Sequence, residues 1–334
     1  MKAMVLYKPA PIDTNPLVYT DIEKPSPGPG EVLLRIRACG ICRTDLHIIE
    51  GELKPIRLPV IPGHQVIGVV EELGENVVSV RKGERVGVPW LYWACGKCKY
   101  CKRGLENLCD NALFAGYSVD GGYAEYMVAK ADFVHPIPSE YDDYHAAPLL
   151  CGGAIGYRAL RLTGLLEKGE GKLGLFGFGS SAHMILQVAV NKGLEVYVFT
   201  RSKSKQEYAI SLGAKWAGHT KDTPPSKLDA AIVFAPASWV MVEALKKLDK
   251  GGRLVLAEIY MTPIEKLEYN LLWLEREIKS VANVTRRDVR EFLIEAAKAG
   301  VKPHITIYSL KDANKALYEL KYGEVKGSGV LKIS

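Results

Sequence analysis

Four of the chain's seven cysteines fall within one short stretch, CGKCKYCKRGLENLC, as Cys95, Cys98, Cys101 and Cys109. Short C-x2-C turns bring thiolates to one ion at about 2.3 Å, and four of them close a tetrahedral shell. Such a shell leaves no vacant position, so the site it makes is structural. A redox CxxC pair has no need of the third and fourth thiols. An iron–sulfur cluster, which also takes four cysteine ligands, is the chemical rival. The flanking Lys97, Lys99, Lys102 and Arg103 are compatible with a zinc ribbon on nucleic acid, but read more simply as a solvated rim that offsets the thiolate charge.

A second set of donors is dispersed. Cys42 stands in ACGICRTDLH, just after a strand-like run; His64 follows a Pro-Gly turn in IPGHQVIGVV; Cys151 lies in PLLCGGAIGY. Two thiolates, one imidazole and a water form the ligand set of a catalytic zinc. Taken singly, each reads equally well as a buried cysteine or an ordinary histidine. The third feature is LFGFGSSA, in which Gly177, Gly179 and Ala182 make a G-x-G-x-x-A. It follows the apolar strand KLGLF and opens a helix, the context in which this motif seats a dinucleotide pyrophosphate. The plain alternative is a tight strand-to-helix turn without ligand. Roughly twenty residues on, a carboxylate would bind the ribose hydroxyls of NAD. Here the run is VYVFTRSKSK, and Thr200, Arg201, Ser202 and Lys205 stand in its place. Cations and hydroxyls bind a 2′-phosphate that a carboxylate would repel, which favours NADP(H) over NAD(H).

The elements that must position these residues are of two textures. At 334 residues the chain has room for two cores. It is 48% hydrophobic and 25% charged, as soluble globular proteins are. The net charge of +6 is spread without a block of like charges, so no nucleic-acid or membrane patch is indicated. The longest apolar stretch, AAIVFAPASWVMV, is too short for a bilayer and contains Pro236. The N-terminal MKAMVLYKPAP lacks the apolar run of a signal peptide, so a cytoplasmic location with reduced thiols is expected. Residues 1–150 read as strand and loop, with EVLLRIRA alternating cleanly. From about residue 170, strands (KLGLF, LEVYVF, LDAAIVF, RLVLA, IKSVANV) alternate with helices, the rhythm of a doubly wound parallel sheet. IKSVANV reads as buried like the others. The tail from Arg287 reads as one amphipathic helix and short strand-like pieces that return to the first domain.

GICRTDLH, IPGH, CGKCKYCKRGLENLC and LLCGG, in this order along nearly the whole chain, resemble the zinc-dependent alcohol dehydrogenases of the medium-chain dehydrogenase/reductase family. The resemblance implies an α/β chain: a GroES-like, mostly β catalytic domain from residues 1–150 and 284–334, and a Rossmann nucleotide-binding domain over 151–283. It implies two zinc ions per subunit. Cys42, His64 and Cys151 would hold the catalytic one, and Cys95, Cys98, Cys101 and Cys109 the structural one. Cys39 is left as an ordinary thiol, and Asp45 orients His64. Thr44 would take the alcohol proton and pass it through the nicotinamide ribose to His47, which delivers it to solvent. A small primary or secondary alcohol or aldehyde is the implied substrate, with Trp90 near its pocket, and a dimeric or tetrameric homo-oligomer the implied assembly.

Three positions depart from the family pattern. Gln65 replaces a glutamate after the zinc-binding histidine. Ile155 stands four residues past the third ligand, where a threonine is common. Ser328 stands where an arginine often meets the pyrophosphate, a contact that Arg43 could supply. A polyol or sugar dehydrogenase of the same family, and a non-catalytic NADP(H)-binding sensor on the same fold, are the alternatives.

Overall fold

The alternating stretch EVLLRIRA lies in the strand Glu31–Gly40, the spine of a seven-stranded sheet. The structure is a computed structural model and describes residues 1–264 and 266–334. Val32, Leu34, Ile36 and Ala38 are fully buried, as alternation predicts; Leu33 is buried too, so the other face is also covered at that end. The spine pairs antiparallel with Val66–Leu73, Tyr126–Lys130 and Ser328–Lys332. Beyond Val66–Leu73 come Arg85–Val88 and His135–Pro136. On the far side Ile305–Ser309 runs parallel to Ser328–Lys332, so the tail does complete this sheet. Between those two strands the chain forms a helix, Ala313–Tyr322, rather than only strand-like pieces. Ala313, Ala316 and Leu317 supply its buried stripe.

The second sheet has six parallel strands in the order Trp216–Gly218, Glu195–Phe199, Lys172–Phe176, Leu228–Val233, Leu248–Leu256, Glu277–Ser280. The chain order reverses at Lys172–Phe176, where dinucleotides bind in sheets of this kind. The central strands are apolar apart from Lys172 and Asp229 near their starts, because helices cover both faces. Glu277–Ser280 is a correction to the sequence reading. It is an edge strand with three of its four residues exposed, and the valines that made the stretch look buried lie beyond it.

Contacts divide the chain into two units. One comprises Met1–Cys151, Asn283–Leu293 and Pro303–Ser334, the other Gly152–Ala282 and Ile294–Lys302. The later division falls inside the helix Arg286–Lys298. Beyond Leu293, Glu295 pairs with Lys192 at 2.6 Å, and the Lys302 amide donates to Gln187 at 3.5 Å, which ties this stretch to the second unit. Among the described residues, no helix is long and apolar enough to cross a membrane.

Candidate active site

Strand register brings the first two dispersed donors together. Cys39 pairs with Val66, and the Gly40 amide donates to the Gln65 carbonyl at 3.0 Å. Cys42 and His64 therefore emerge from the same end of adjacent strands. Cys42 is the N-cap of the helix Arg43–Ile49; its sulfur accepts the Thr44 amide at 3.2 Å, while its own amide donates to Asp45 at 2.8 Å. This reciprocal cap fixes the sulfur at the helix start. Cys151 closes a buried turn, Ala147–Leu150, whose Leu150 side chain sits over Gly87; a Cβ there would stand 2.7 Å from it.

The ligand atoms of Cys42, His64 and Cys151 all lie within 4.8 Å of one another, and Cys42 Sγ is 3.3 Å from His64 Nε2. Ligands on one zinc, bound at about 2.0–2.3 Å, would stand roughly 3.5–3.8 Å apart. The donor set fits. His64 is fully buried, and its Nδ1 donates to Asp45 at 3.0 Å, which leaves the Nε2 lone pair for a cation. The set also attracts positive charge. The hydrogen bond from Cys151 holds Cys42 well below the ordinary thiol range, against burial. Burial opposes charge on His64, yet Asp45 and Cys42 hold it well above the ordinary imidazole range.

Thr44 and His47 lie one turn apart on the helix Arg43–Ile49, Thr44 buried and His47 half-buried. The imidazole Nδ1 of His47 bonds Glu52, a partner that sequence reasoning missed. Arg43 is exposed, and its guanidinium donates to the Lys321 carbonyl at 3.3 Å. The Trp90 ring centroid is 5.8 Å from that of His64. Ile155 is half-buried on the helix Gly152–Thr163; Ser328 is buried, its amide donating to the His304 carbonyl at 2.8 Å.

Cys95, Cys98, Cys101 and Cys109 form a second cluster, again with all sulfurs within 4.8 Å, and Cys95 Sγ is 4.0 Å from Cys101 Sγ. These separations suit one tetrahedral ion better than a cluster that spreads its cysteines over several irons. The Lys97 and Cys98 amides draw the Cys95 thiol down to about 6, whereas burial, with the thiol of Cys98, pushes Cys101 up to about 12. Four thiolates need a cation to coexist here. The lobe has its own small core of Leu91, Ala94, Cys109 and Phe133. It is held from far along the chain. Arg286 meets the Glu106 carboxylate through its backbone amide (2.7 Å), Nε (3.1 Å) and Nη2 (2.9 Å), and lies over the Phe133 ring at 4.4 Å. Nothing local in the sequence signals this pairing.

In the second unit Gly177 ends the strand Lys172–Phe176 at φ 89°, and its amide donates to the Phe199 carbonyl at 2.9 Å. Gly179 is the N-cap of the helix Ser180–Asn191, and a Cβ on it would meet nothing within 4 Å. That open side is where backbone can approach a pyrophosphate. Ala182 is fully buried. His183 is buried in the same helix, its Nδ1 3.2 Å from the Gly179 carbonyl oxygen. At the end of Glu195–Phe199, Thr200 is buried, while Arg201, Lys203 and Lys205 are exposed around the start of the helix Lys203–Ser211. Ser202 caps that helix, its hydroxyl accepting the Lys205 amide at 3.5 Å.

Comparison with known proteins agrees with this geometry. Residues 28–139 match the alcohol dehydrogenase GroES-like domain. A protein of Mycobacterium tuberculosis named probable alcohol dehydrogenase AdhA is 45% identical over 339 residues, spanning 100% of this chain and 97% of that protein. The cobalt- and zinc-bound thermostable alcohol dehydrogenase of Pyrobaculum aerophilum superposes with a TM-score of 0.87 at 28% identity, covering 99% of each chain. CAD from Helicobacter pylori, complexed with NADP(H), does so with a TM-score of 0.86 at 27% identity, covering 99% of this chain and 97% of that one. With two sets of converging donors, a glycine turn between strand and helix, and full-length relatives, the chain belongs to the zinc-dependent alcohol dehydrogenases of the medium-chain dehydrogenase/reductase family.

Proposed function

We propose that this enzyme transfers hydride between NADP(H) and small primary or secondary alcohols, aldehydes or ketones, and carries two zinc ions per subunit. The observation that carries the reading is the convergence of Cys42, His64 and Cys151 around one point, with His64 oriented by a buried carboxylate. Zinc held there would supply Lewis acidity towards a substrate oxygen, and a bound nicotinamide would serve as the hydride carrier. The chain's residues do the rest. Asp45 keeps the Nδ1 proton of His64 in place. The Thr44 hydroxyl, in the first turn of its helix, would take the alcohol proton while passing its own to the nicotinamide ribose and so towards His47. His47, one turn on, hands it to solvent; Glu52 occupies its Nδ1 and leaves Nε2 for the transfer. The helix opened by Gly179 receives the pyrophosphate.

The NADP(H) preference rests on the loop after Glu195–Phe199. Ser202 is committed as a helix cap, and the exposed cations Arg201 and Lys205 flank it, which supports a role for them at a 2′-phosphate. Initial rates with NADPH and NADH over short aldehydes, alcohols and polyols test the proposal. NADPH should be favoured at least tenfold in kcat/KM, and Arg201→Ala should shrink that ratio by raising KM for NADPH. Equal or better rates with NADH refute the cofactor assignment; activity confined to polyols refutes the substrate class.

A further inference from the structure

We infer that Tyr123 is a positioning residue of the catalytic metal site, joining the turn that carries His64 to the helix start that carries Cys42. The inference rests on the assignment of Cys42, His64 and Cys151 as metal ligands. Tyr123 is fully buried. Its backbone amide donates to the Pro62 carbonyl at 3.0 Å, which holds the Pro62-Gly63-His64 turn. Its ring lies against that turn. Gly63 sits at φ 98°, and a Cβ there would come within 2.4 Å of the tyrosine ring, so only glycine lets the turn approach so closely. Its hydroxyl donates to Asp45 Oδ2 at 3.2 Å.

Asp45 is the meeting point. The carboxylate is wholly buried and takes three hydrogen bonds: from His64 Nδ1 at 3.0 Å on one oxygen, and from the Cys42 amide at 2.8 Å and the Tyr123 hydroxyl on the other. A buried carboxylate holds its orientation only while its acceptors are satisfied. Removing the phenol leaves Oδ2 with the Cys42 amide alone. The carboxylate then keeps one bond on each oxygen and is held less firmly, and the geometry of both donors it steadies loosens. Outer partners of metal-bound histidines are worth about 10–100-fold in metal affinity; Tyr123 acts one bond further out, so about tenfold is expected.

The test is Tyr123→Phe in the full-length chain, which keeps the ring against Gly63. Zinc is removed by competition with a graded series of chelators, and the cobalt-substituted protein is examined by visible absorption. Wild type should release two zincs in separable phases. The variant should lose the catalytic zinc about tenfold more readily and shift the cobalt ligand-field bands, while release from the tetracysteine site stays unchanged. Tyr197→Phe, which removes another buried phenol bonded to Glu195 and Ser226 in the second unit, should leave both phases alone. Catalytic-zinc release within twofold of wild type with unshifted cobalt bands would show that Tyr123 only packs, and the inference falls. A wild-type chain that binds zinc at the tetracysteine site alone overturns the catalytic-metal assignment itself, and this inference with it.

Discussion

His135 should make the protein acid-labile, and its replacement should remove that lability. The residue is 1% exposed on the short strand His135–Pro136, and neither ring nitrogen has a hydrogen-bond partner among the described residues. Burial, with Arg290 and Arg286 facing it, pushes its pKa down to about 3. The unfolded chain keeps the ordinary value of about 6.5. Because the folded pKa is the lower one, protons bind preferentially to the unfolded state as pH falls. Nothing is lost above pH about 6.5; stability drains away between there and pH about 3. At pH 5 the unfolded state gains about 1.5 pH units at about 1.36 kcal/mol each, so about 2 kcal/mol.

His135→Leu keeps an apolar side chain of similar volume and cannot be protonated. At pH 7.5 the variant should be at least as stable as wild type, since an unpartnered imidazole is a poor core residue. At pH 5 it should be the more stable by about 2 kcal/mol, or about 4–8 °C in melting temperature. Thermal melts of both proteins at the two pH values measure this, and acid effects on the zinc ligands cancel because both proteins share them. A wild-type-to-variant difference that is the same at pH 7.5 and pH 5 refutes the reasoning, since it would mean that His135 is not held neutral by the fold.

Cys151→Ser should bind one zinc in place of two and lose at least about a hundredfold in kcat, with melting temperature changed little; metal analysis and steady-state rates read both, and full activity with one zinc would contradict the ligand assignment. Glu106→Gln should loosen the tetracysteine lobe by weakening its partly buried contact with Arg286, costing about 1–2 kcal/mol, or about 2–8 °C in melting temperature, and speeding zinc release from that site but not from the other. Unchanged release would show that the lobe holds its ion without Arg286.

Chemistry was legible in the sequence because it depends on residue types at short spacing. Four cysteines in C-x2-C-x2-C-x7-C have few uses, and a glycine pair between an apolar strand and a helix has fewer still. Positioning was not legible, because its partners are far apart in the chain and individually unremarkable. Glu106 and Arg286 are 180 residues apart, and Tyr123 and Asp45 are 78 apart. The helix Gly152–Thr163 went unread behind its glycines, which lower helix propensity. The edge strand Glu277–Ser280 reads as buried in the sequence because Val281 and Val284, just past its end, extend the apolar signal of its one apolar residue, Ile278.

The dispersed trio falls between these cases, and sheet register explains why. Side chains alternate across a strand, so a one-residue slip of Val66–Leu73 against Glu31–Gly40 would turn Val66 and Val70 away from the core they share with Val32, Leu34 and Ile36. Burial of those residues makes that slip costly. The pairing of Cys39 with Val66 is thus set by hydrophobic side chains outside the donor trio, and Cys42 and His64 are brought together as a consequence. The pattern EVLLRIRA and the apolar start of VIGVVEEL carried this information without any ligand in them. What they could not carry is the arrival of Cys151, which depends on a buried turn packing Leu150 over Gly87 and has no periodicity to announce it. The core thus decides two of the ligands through its alternation, and the third through the fit of one leucine.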